Sequence, residues 1–563
     1  MKMKNTNLIA LLLITLFAAL SYGRVWSIQD AIWDDNCWLL SSYATENWRQ
    51  FFDTGIFELR RYGFGMHVYL LFGLHRDTEY FYVIWHGINT VTQIATPFML
   101  YLIVREAFPD RRLLALYAAI ALVLFPLDYT VAYASGSNYR ISLLISVISI
   151  YFTQRSIGEQ GLKLPAFWLS LITAGISYYV FMEAAVALEP ARWALIGVRH
   201  YHRGLRDRLL WKQTLSHALP YFLICAPQLI YKLLFKSYGI YASLYELDLF
   251  FFLRARDIAK AIGHLLFSQW YVLARGADSI SLTVWTLGIT GAVFTALLFY
   301  RLSQRKIDSL PKIKTDFSIG LAVFFLIVPP IAMFHAFNRP VSWGINSSHA
   351  MLAQPGYALL LAWIVERTHH YALTQPWRLP IWTALMSLWF GLGVLFNNVN
   401  LDMYLKSWEE QSRFWTAFMQ RFPTLPDKAT FFFDAQDGAL YTDLHNYYDY
   451  EFQLNLLYAR SSKPHEFRRY VAYTTADLQF LPKRGALTSD MSIKRTTHFG
   501  PETLYPVDFI VVQYRQNRLL VNREILAEQP RVEYRSWADK DPPALPTTKP
   551  DFPLRKKMNF YTP

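Results

Sequence analysis

The chain has 563 residues, 53% of them hydrophobic and 17% aromatic, and a formal net charge of +13. That apolar content exceeds what a soluble globular protein carries, and it arrives in separate long blocks, which excludes a single soluble core. The basic residues sit in short clusters between the blocks, a pattern of membrane topology and anionic headgroups; nucleic-acid binding is excluded.

A helix needs roughly 20 apolar residues to cross the hydrocarbon core, with some tolerance for tilt and polar interruption. Eleven segments fit, at about 7–22, 80–104, 113–127, 141–154, 164–181, 184–198, 215–235, 281–300, 317–334, 349–366 and 379–397. With the N-terminus inside, the six inner segments hold roughly 19 Lys or Arg in about 64 residues, against about 12 in some 140 outer-loop residues. The clusters Lys2/Lys4, Arg105/Arg111/Arg112, Arg199/Arg203/Arg206/Arg208/Lys212 and Arg301/Arg305/Lys306/Lys312/Lys314 then all fall inside.

The small residues Ala18-Ala19-Leu20-Ser21 would suit cleavage of the first block as a signal, but a retained helix better holds the following loop at the membrane face. Two cysteines, Cys37 and Cys225, exclude a disulfide framework and leave the redox compartment open. The inner loops carry no G-x-x-x-x-G-K-[ST] and no strand followed by G-x-G-x-x-G, so an inner nucleotide domain is excluded. His200, His202, His369 and His370 read as solvated residues of those loops.

Most of the remaining chain is on the outer side. The first outer loop, 23–79, contains Asn36 to Phe52, where Trp38, Leu39, Tyr43, Trp48 and Phe51 alternate with polar residues as in a helix lying in the interface. A second such element runs from Met66 to Leu74. Segment 236–280 mixes aromatic and charged residues without reaching a clean span, and reads as interfacial or partly re-entrant. After 397 the composition changes abruptly: charges run throughout, with β-rich stretches at Thr430 to Phe433 and Phe509 to Tyr514. The expected fold is an α-helical polytopic membrane module over 1–397 and a small extracytoplasmic α/β domain over 398–563.

Trp33-Asp34-Asp35-Asn36 is the strongest chemical signal, two adjacent acids flanked by Trp33 and Trp38 just beyond the first span. A carboxylate there can take the proton of an acceptor hydroxyl, and the rings can stack on sugar and anchor the loop at headgroup depth. The competing reading is a helix cap. Asp128 and Glu183 fall at outer span ends and are further candidates to line the site. Arg140 and Arg339, with His335 and His349, are the outer-side groups suited to a lipid phosphate; each Arg also fits a snorkelling interfacial residue. No cofactor is required. A divalent cation bridging Asp34 or Asp35 to phosphate is possible, yet the pair alone is a weak metal motif and the metal ligands stay unknown.

The inner N-terminus, the acidic pair in a long first outer loop, about ten further spans and an outer C-terminal domain together resemble the GT-C superfamily of polyprenyl-phosphate-sugar-dependent membrane glycosyltransferases. Trp408-Glu409-Glu410-Gln411-Ser412-Arg413-Phe414-Trp415, with Phe422-Pro423 and Lys428 to Phe431, is similar to the start of the outer domain in bacterial members. The resemblance covers residues 1 to about 435 and implies a bacterial inner-membrane enzyme. It would transfer sugar, with inversion, from a polyprenyl-phosphate donor to an acceptor glycan, lipid or protein, with Asp34 or Asp35 as base. A W-W-D-Y-G-type motif is absent, which argues against block transfer of a glycan onto Asn. The alternatives are an O-antigen-type polymerase or ligase, in which Arg339 would dominate, and a transporter or lipid flippase. Against the latter, the chain has neither repeat symmetry nor a chain of mid-membrane acids.

Overall fold

The structure, a computed structural model, describes residues 2–28, 39, 62–73, 81–134, 136–158, 161–234, 254–276, 280–303, 313–336, 344–423, 425–426, 430–434, 447–458, 470–474, 493–497, 500–504, 509–515, 518–522, 525–528, 531–534 and 547–548. Each of the eleven apolar blocks coincides with helical structure. The stretches Thr6–Ser27, Tyr82–Ala107, Leu164–Phe181, Leu282–Ser303, Thr315–Ala336 and Arg378–Ser407 are long and apolar enough to cross a membrane, and Arg112–Leu124 is apolar but shorter. The chain is an α-helical multi-pass membrane protein.

The first helices are α1 (Lys2–Tyr22), α2 (Tyr62–Val68), α3 (Phe81–Ala107), α4 (Arg112–Leu124) and α5 (Ser137–Ser156). They are followed by α6 (Leu164–Ile176), α7 (Glu189–His202), α8 (Asp207–Leu234) and α9 (Ala255–Gly276). The last helices of the bundle are α10 (Leu282–Ser303), α11 (Ile313–Ala336), α12 (Gln354–Ala372) and α13 (Arg378–Arg421). α3, α8 and α11 each carry proline inside the helix, as membrane helices tolerate more readily than soluble ones. Between α7 and α8 the chain turns at Gly204, whose φ of 89° suits glycine at a helix C-terminus.

α4 is buried on nearly every face from Leu114 to Leu124. A helix apolar all round belongs at the centre, and α1, α3 and α12 pack around it. Segment 236–280 supplies an amphipathic helix, α9, which buries Ile258, Ala261 and Leu265 at helical spacing and packs against α11 and α13. Within the expected interfacial element at 66–74, α2 passes into a π turn, Tyr69–Gly73. The expected helix over 36–52 lies outside the described residues except Leu39.

α10 and α13 approach through small residues. A Cβ on Gly391 would meet the Ala292 Cβ at 2.7 Å and the Gly288 carbonyl oxygen at 2.9 Å. Membrane helices gain their association from such close van der Waals packing. Gly391→Val is therefore expected to destabilise the protein by about 2 kcal/mol or more, read as a lower thermal midpoint. Gly175→Val, whose Cβ would meet nothing within 4 Å, is its control.

With 44 residues, α13 is the longest described helix. At 1.5 Å per residue it spans roughly 66 Å, about twice the hydrocarbon thickness. The composition break after 397 is thus no break in the backbone. The helix runs on, and Phe414, Trp415 and Phe418 pack with Phe431, Phe433, Tyr450, Leu454 and Val512 in a second core. There β1 (Thr430–Asp434) lies parallel to both β2 (Val471–Thr474) and β3 (Phe509–Arg515). β4 (Arg518–Asn522) pairs antiparallel with β3, giving the order β2-β1-β3-β4. The helix Tyr447–Tyr458, α14, packs on β2.

At the end of the bundle that carries the basic clusters, Arg111 bonds Glu366 through Nε at 2.9 Å and again through Nη2, and reaches Asp316 at 3.3 Å. Asp316 also accepts from Trp363 Nε1 at 3.0 Å and pairs with Arg367. This network ties α4, α11 and α12 together. It also accompanies a correction: His200 and His369 are not solvated loop residues. Both lie in helices and are buried, His369 stacked on Trp382 at 4.4 Å and bonded to Tyr117 at 2.9 Å, His200 bonded to His217 at 2.9 Å. His370 is half-buried and His202 exposed. Burial, with His217 and Arg203 nearby, holds His200 down to about 4.

Candidate functional site

The segment 125–134, joining α4 to α5, is buried at the opposite end of the bundle. A buried loop must satisfy its own backbone polar groups. Here neighbours do so. Tyr129 N–H donates to Ser347 Oγ at 2.9 Å, and the Tyr129 carbonyl accepts from Asn400 Nδ2 at 3.1 Å and Tyr404 OH at 2.8 Å. Asn397 Nδ2 bonds the Leu124 carbonyl at 3.1 Å and Tyr22 OH the Val123 carbonyl at 2.8 Å. With its amide oxygen turned toward the loop, Gln354 accepts from Leu127 N at 3.2 Å and Asp128 N at 2.8 Å. Helices α1, α12 and α13 and the 3-10 helix Gly344–Ala353 therefore hold one loop.

Inside that frame Asp128 and Arg140, both 3% exposed, form an ion pair at 3.1 Å. The other Asp128 oxygen accepts from Thr130 N at 2.8 Å and Thr130 Oγ1 at 2.5 Å. Arg140 sends Nη1 to Asn89 Oδ1 at 2.9 Å and the Tyr133 carbonyl at 3.2 Å, and Nη2 to the Thr130 carbonyl and to Thr130 Oγ1 at 3.1 Å. The five N–H groups of the guanidinium thus have five protein acceptors. As placed, the pair organises the loop, and Arg140 has no donor left over for a phosphate.

Other expected residues gather at the same end. His335 ends α11 and His349 lies in the 3-10 helix 344–353; both are buried. His349 stacks on Phe334 at 4.8 Å, and Tyr139, next to Arg140, is 6.4 Å from its ring. Glu183, half-buried, opens the 3-10 helix Glu183–Leu188, which packs against α5, α11 and the 344–353 helix. Asp128, Arg140, Glu183, His335 and His349 are therefore neighbours by element. Trp33, Asp34, Asp35, Trp38 and Arg339 lie outside the described residues.

The described flanks of the acidic segment are both anchored beside this loop. Ile28 is fully buried, and its carbonyl accepts from His86 Nε2 at 2.5 Å. Leu39 packs with Val68, Leu71, Phe72, Trp85 and Ala134. From α2, His67 bonds Ser137 Oγ at 2.9 Å, tying the loop between α1 and α3 to the start of α5.

Burial pushes His67 down to about 4. A histidine depressed in the folded state stabilises above its unfolded pKa of about 6.5 and loses that contribution as pH falls toward 4. His67→Gln lacks this penalty. Its stability deficit relative to the parent protein is expected to shrink by about 2 kcal/mol between pH 7.5 and 5, followed as the difference in unfolding midpoints.

No family model and no curated protein matches this chain. Among solved structures, the crystal structure of ArnT from Cupriavidus metallidurans bound to undecaprenyl phosphate aligns over 91% of this chain and 93% of that chain, at 11% identity and a TM-score of 0.34. At that score the alignment assigns neither ligand nor activity to this chain.

One polar centre was not expected from the sequence. Between α5, α6, α7 and α8, Arg192 bonds both Glu189 oxygens at 2.9 and 3.1 Å. It also reaches Ser149 at 2.9 Å, Thr153 at 2.6 Å and Ser170 at 3.3 Å. Tyr178 OH donates to Glu189, and the guanidinium lies 4.3 Å over the Tyr221 ring. The signal available was Glu189-Pro190-Ala191-Arg192 inside an apolar block, two opposite charges three residues apart on one helix face.

Proposed function

We propose that the chain is a membrane glycosyltransferase of GT-C type that uses a polyprenyl-phosphate-linked sugar and works at the end of the bundle holding the Asp128–Arg140 loop. The observation that carries this reading is the double anchoring of the acidic segment, at Ile28 on His86 and at Leu39 on the Trp85 cluster. The acidic pair thus falls, in sequence, between two residues anchored at the end of the bundle where Asp128, Glu183, His335 and His349 gather.

In the proposed step, Asp34 or Asp35 takes the proton of the acceptor hydroxyl as its oxygen attacks the anomeric carbon. The bond from that carbon to the phosphate oxygen breaks, polyprenyl phosphate departs as the anion, and the configuration inverts. Arg339 provides the positive charge for the leaving group, and the buried His335 and His349 offer it ring N–H donors. Asp128 and Arg140 form the rigid wall behind it; Trp33 and Trp38 stack on the sugar. The acidic segment faces the outer side, with the basic clusters inside and the C-terminal unit outside.

Purified protein in nanodiscs, given a panel of polyprenyl-phosphate sugars and acceptors, should release polyprenyl phosphate and form product of inverted anomeric configuration. No release from any donor, together with uptake of labelled solute by proteoliposomes, would replace this reading with a transporter.

A further inference from the structure

At the basic end of the bundle a cavity of about 440 Å³ opens among the last turns of α3, α5 and α7 and the start of α6, within the size range of small-molecule sites. Its lining includes Glu106, Arg155, Lys163, Arg199, His202 and Arg203. Glu106 is the hub: Arg155 reaches one carboxylate oxygen at 3.1 Å, Arg199 the other at 3.4 Å, and Arg199 also bonds the Glu106 carbonyl at 2.5 Å. One carboxylate thereby fixes two guanidinium groups side by side at the rim.

Cations at helix C-termini are ordinary, because they offset the dipole, so the charge balance decides. Three helix C-termini supply about −0.5 each and the α6 N-terminus about +0.5. Among the described lining residues, one carboxylate against four cations leaves a surplus of about +2 after the helix ends and Glu106 have offset about two of the four. The side chains are also accessible: Arg155 is 51% and Arg199 25% exposed.

We propose that this cavity is a phosphate-binding site, separate from the Asp128–Arg140 loop and independent of the transferase reading, whose ligand is a phosphate group carried either on an anionic lipid or in free solution. Arg155 and Arg199, held by Glu106, present paired N–H donors suited to phosphate oxygens, and Lys163 and Arg203 close the other side. Anionic headgroups concentrate on the inner leaflet, where basic pockets between helices capture them.

The test compares the full-length protein with a Lys163→Ala/Arg203→Ala variant and with an Arg208→Ala/Lys212→Ala control, which removes the same charge from exposed positions of the same inner face outside the cavity. Retention of phosphatidylglycerol against phosphatidylcholine is read by native mass spectrometry, and inorganic phosphate is titrated against the thermal midpoint in detergent. Direct charge-assisted contacts to a bound phosphate outweigh general attraction to an anionic surface, so the cavity variant should lose about tenfold or more in affinity relative to the control. Selective loss of phosphatidylglycerol identifies a lipid source, and a phosphate-induced midpoint shift absent from the cavity variant identifies a free one. Equal losses in both variants, or no response to either probe, would overturn the site. Equal midpoints of the three proteins without anion establish that folding is not the cause.

Discussion

Changing Asp34 and Asp35 together to Asn is expected to lower polyprenyl-phosphate release by a factor of about 10²–10⁴, the usual worth of a positioned general base, with an unchanged thermal midpoint. The single variants assign the role: the base shows the full loss, and a residue that merely caps a helix costs about 1 kcal/mol of stability and little rate. Asp128→Asn should behave in the opposite way. It leaves Arg140 buried without its counter-charge and Thr130 with a weaker acceptor, so its first effect is on the fold of the loop. If the Asp34/Asp35 double variant turned over at the parent rate while Asp128→Asn remained folded but inactive, the base would have been misassigned. Full activity in the double variant with loss of activity in Arg339→Ala would favour a polymerase-like chemistry centred on Arg339.

How much of this was legible depends on the length scale of each signal. The apolar blocks stand out because the hydrocarbon core demands a fixed length of helix. The strands β1 and β3 take in the two β-rich runs expected at Thr430 to Phe433 and Phe509 to Tyr514, because aromatic and β-branched residues there suit a pleated, half-buried surface. The end of the membrane module was less visible. After Asn397 the composition turns charged while α13 continues to Arg421, since Trp408-Glu409-Glu410-Gln411 still favours helix.

Partnering was hidden altogether. Asp128 and Arg140 were both candidates, but twelve residues and a buried turn separate them, and their ion pair depends on Asn89, Thr130 and Tyr133 closing the remaining donors. The buried His200 and His369 were misread because neighbouring Arg and Lys in the sequence suggested solvent. Their actual neighbours, His217, Tyr117 and Trp382, come from other segments.

The Glu189–Arg192 pair was concealed by averaging over an apolar block, and it leads to the second large effect. Glu189→Leu should destabilise the protein by about 3–5 kcal/mol, because it removes the counter-charge from an arginine that is 1% exposed between helices. Ser149, Thr153 and Ser170 cannot replace it: they solvate Arg192 but carry no charge. Arg192→Met should cost a similar amount by leaving the carboxylate buried, with only Tyr178 among the named partners still donating to it. The double variant Glu189→Leu/Arg192→Met is expected to recover much of the loss, since replacing both charges by apolar groups removes the desolvation penalty. The hydroxyls also keep other partners: Ser149 bonds the Ser170 carbonyl at 2.6 Å, Thr153 the Ser149 carbonyl at 3.0 Å and Tyr221 the Ser170 hydroxyl at 2.9 Å. Thermal midpoints of the four proteins in nanodiscs complete the cycle. A double variant as unstable as the sum of the singles would show that the charges do not interact, and that Arg192 stabilises these helices through its hydroxyl partners and Tyr221 alone.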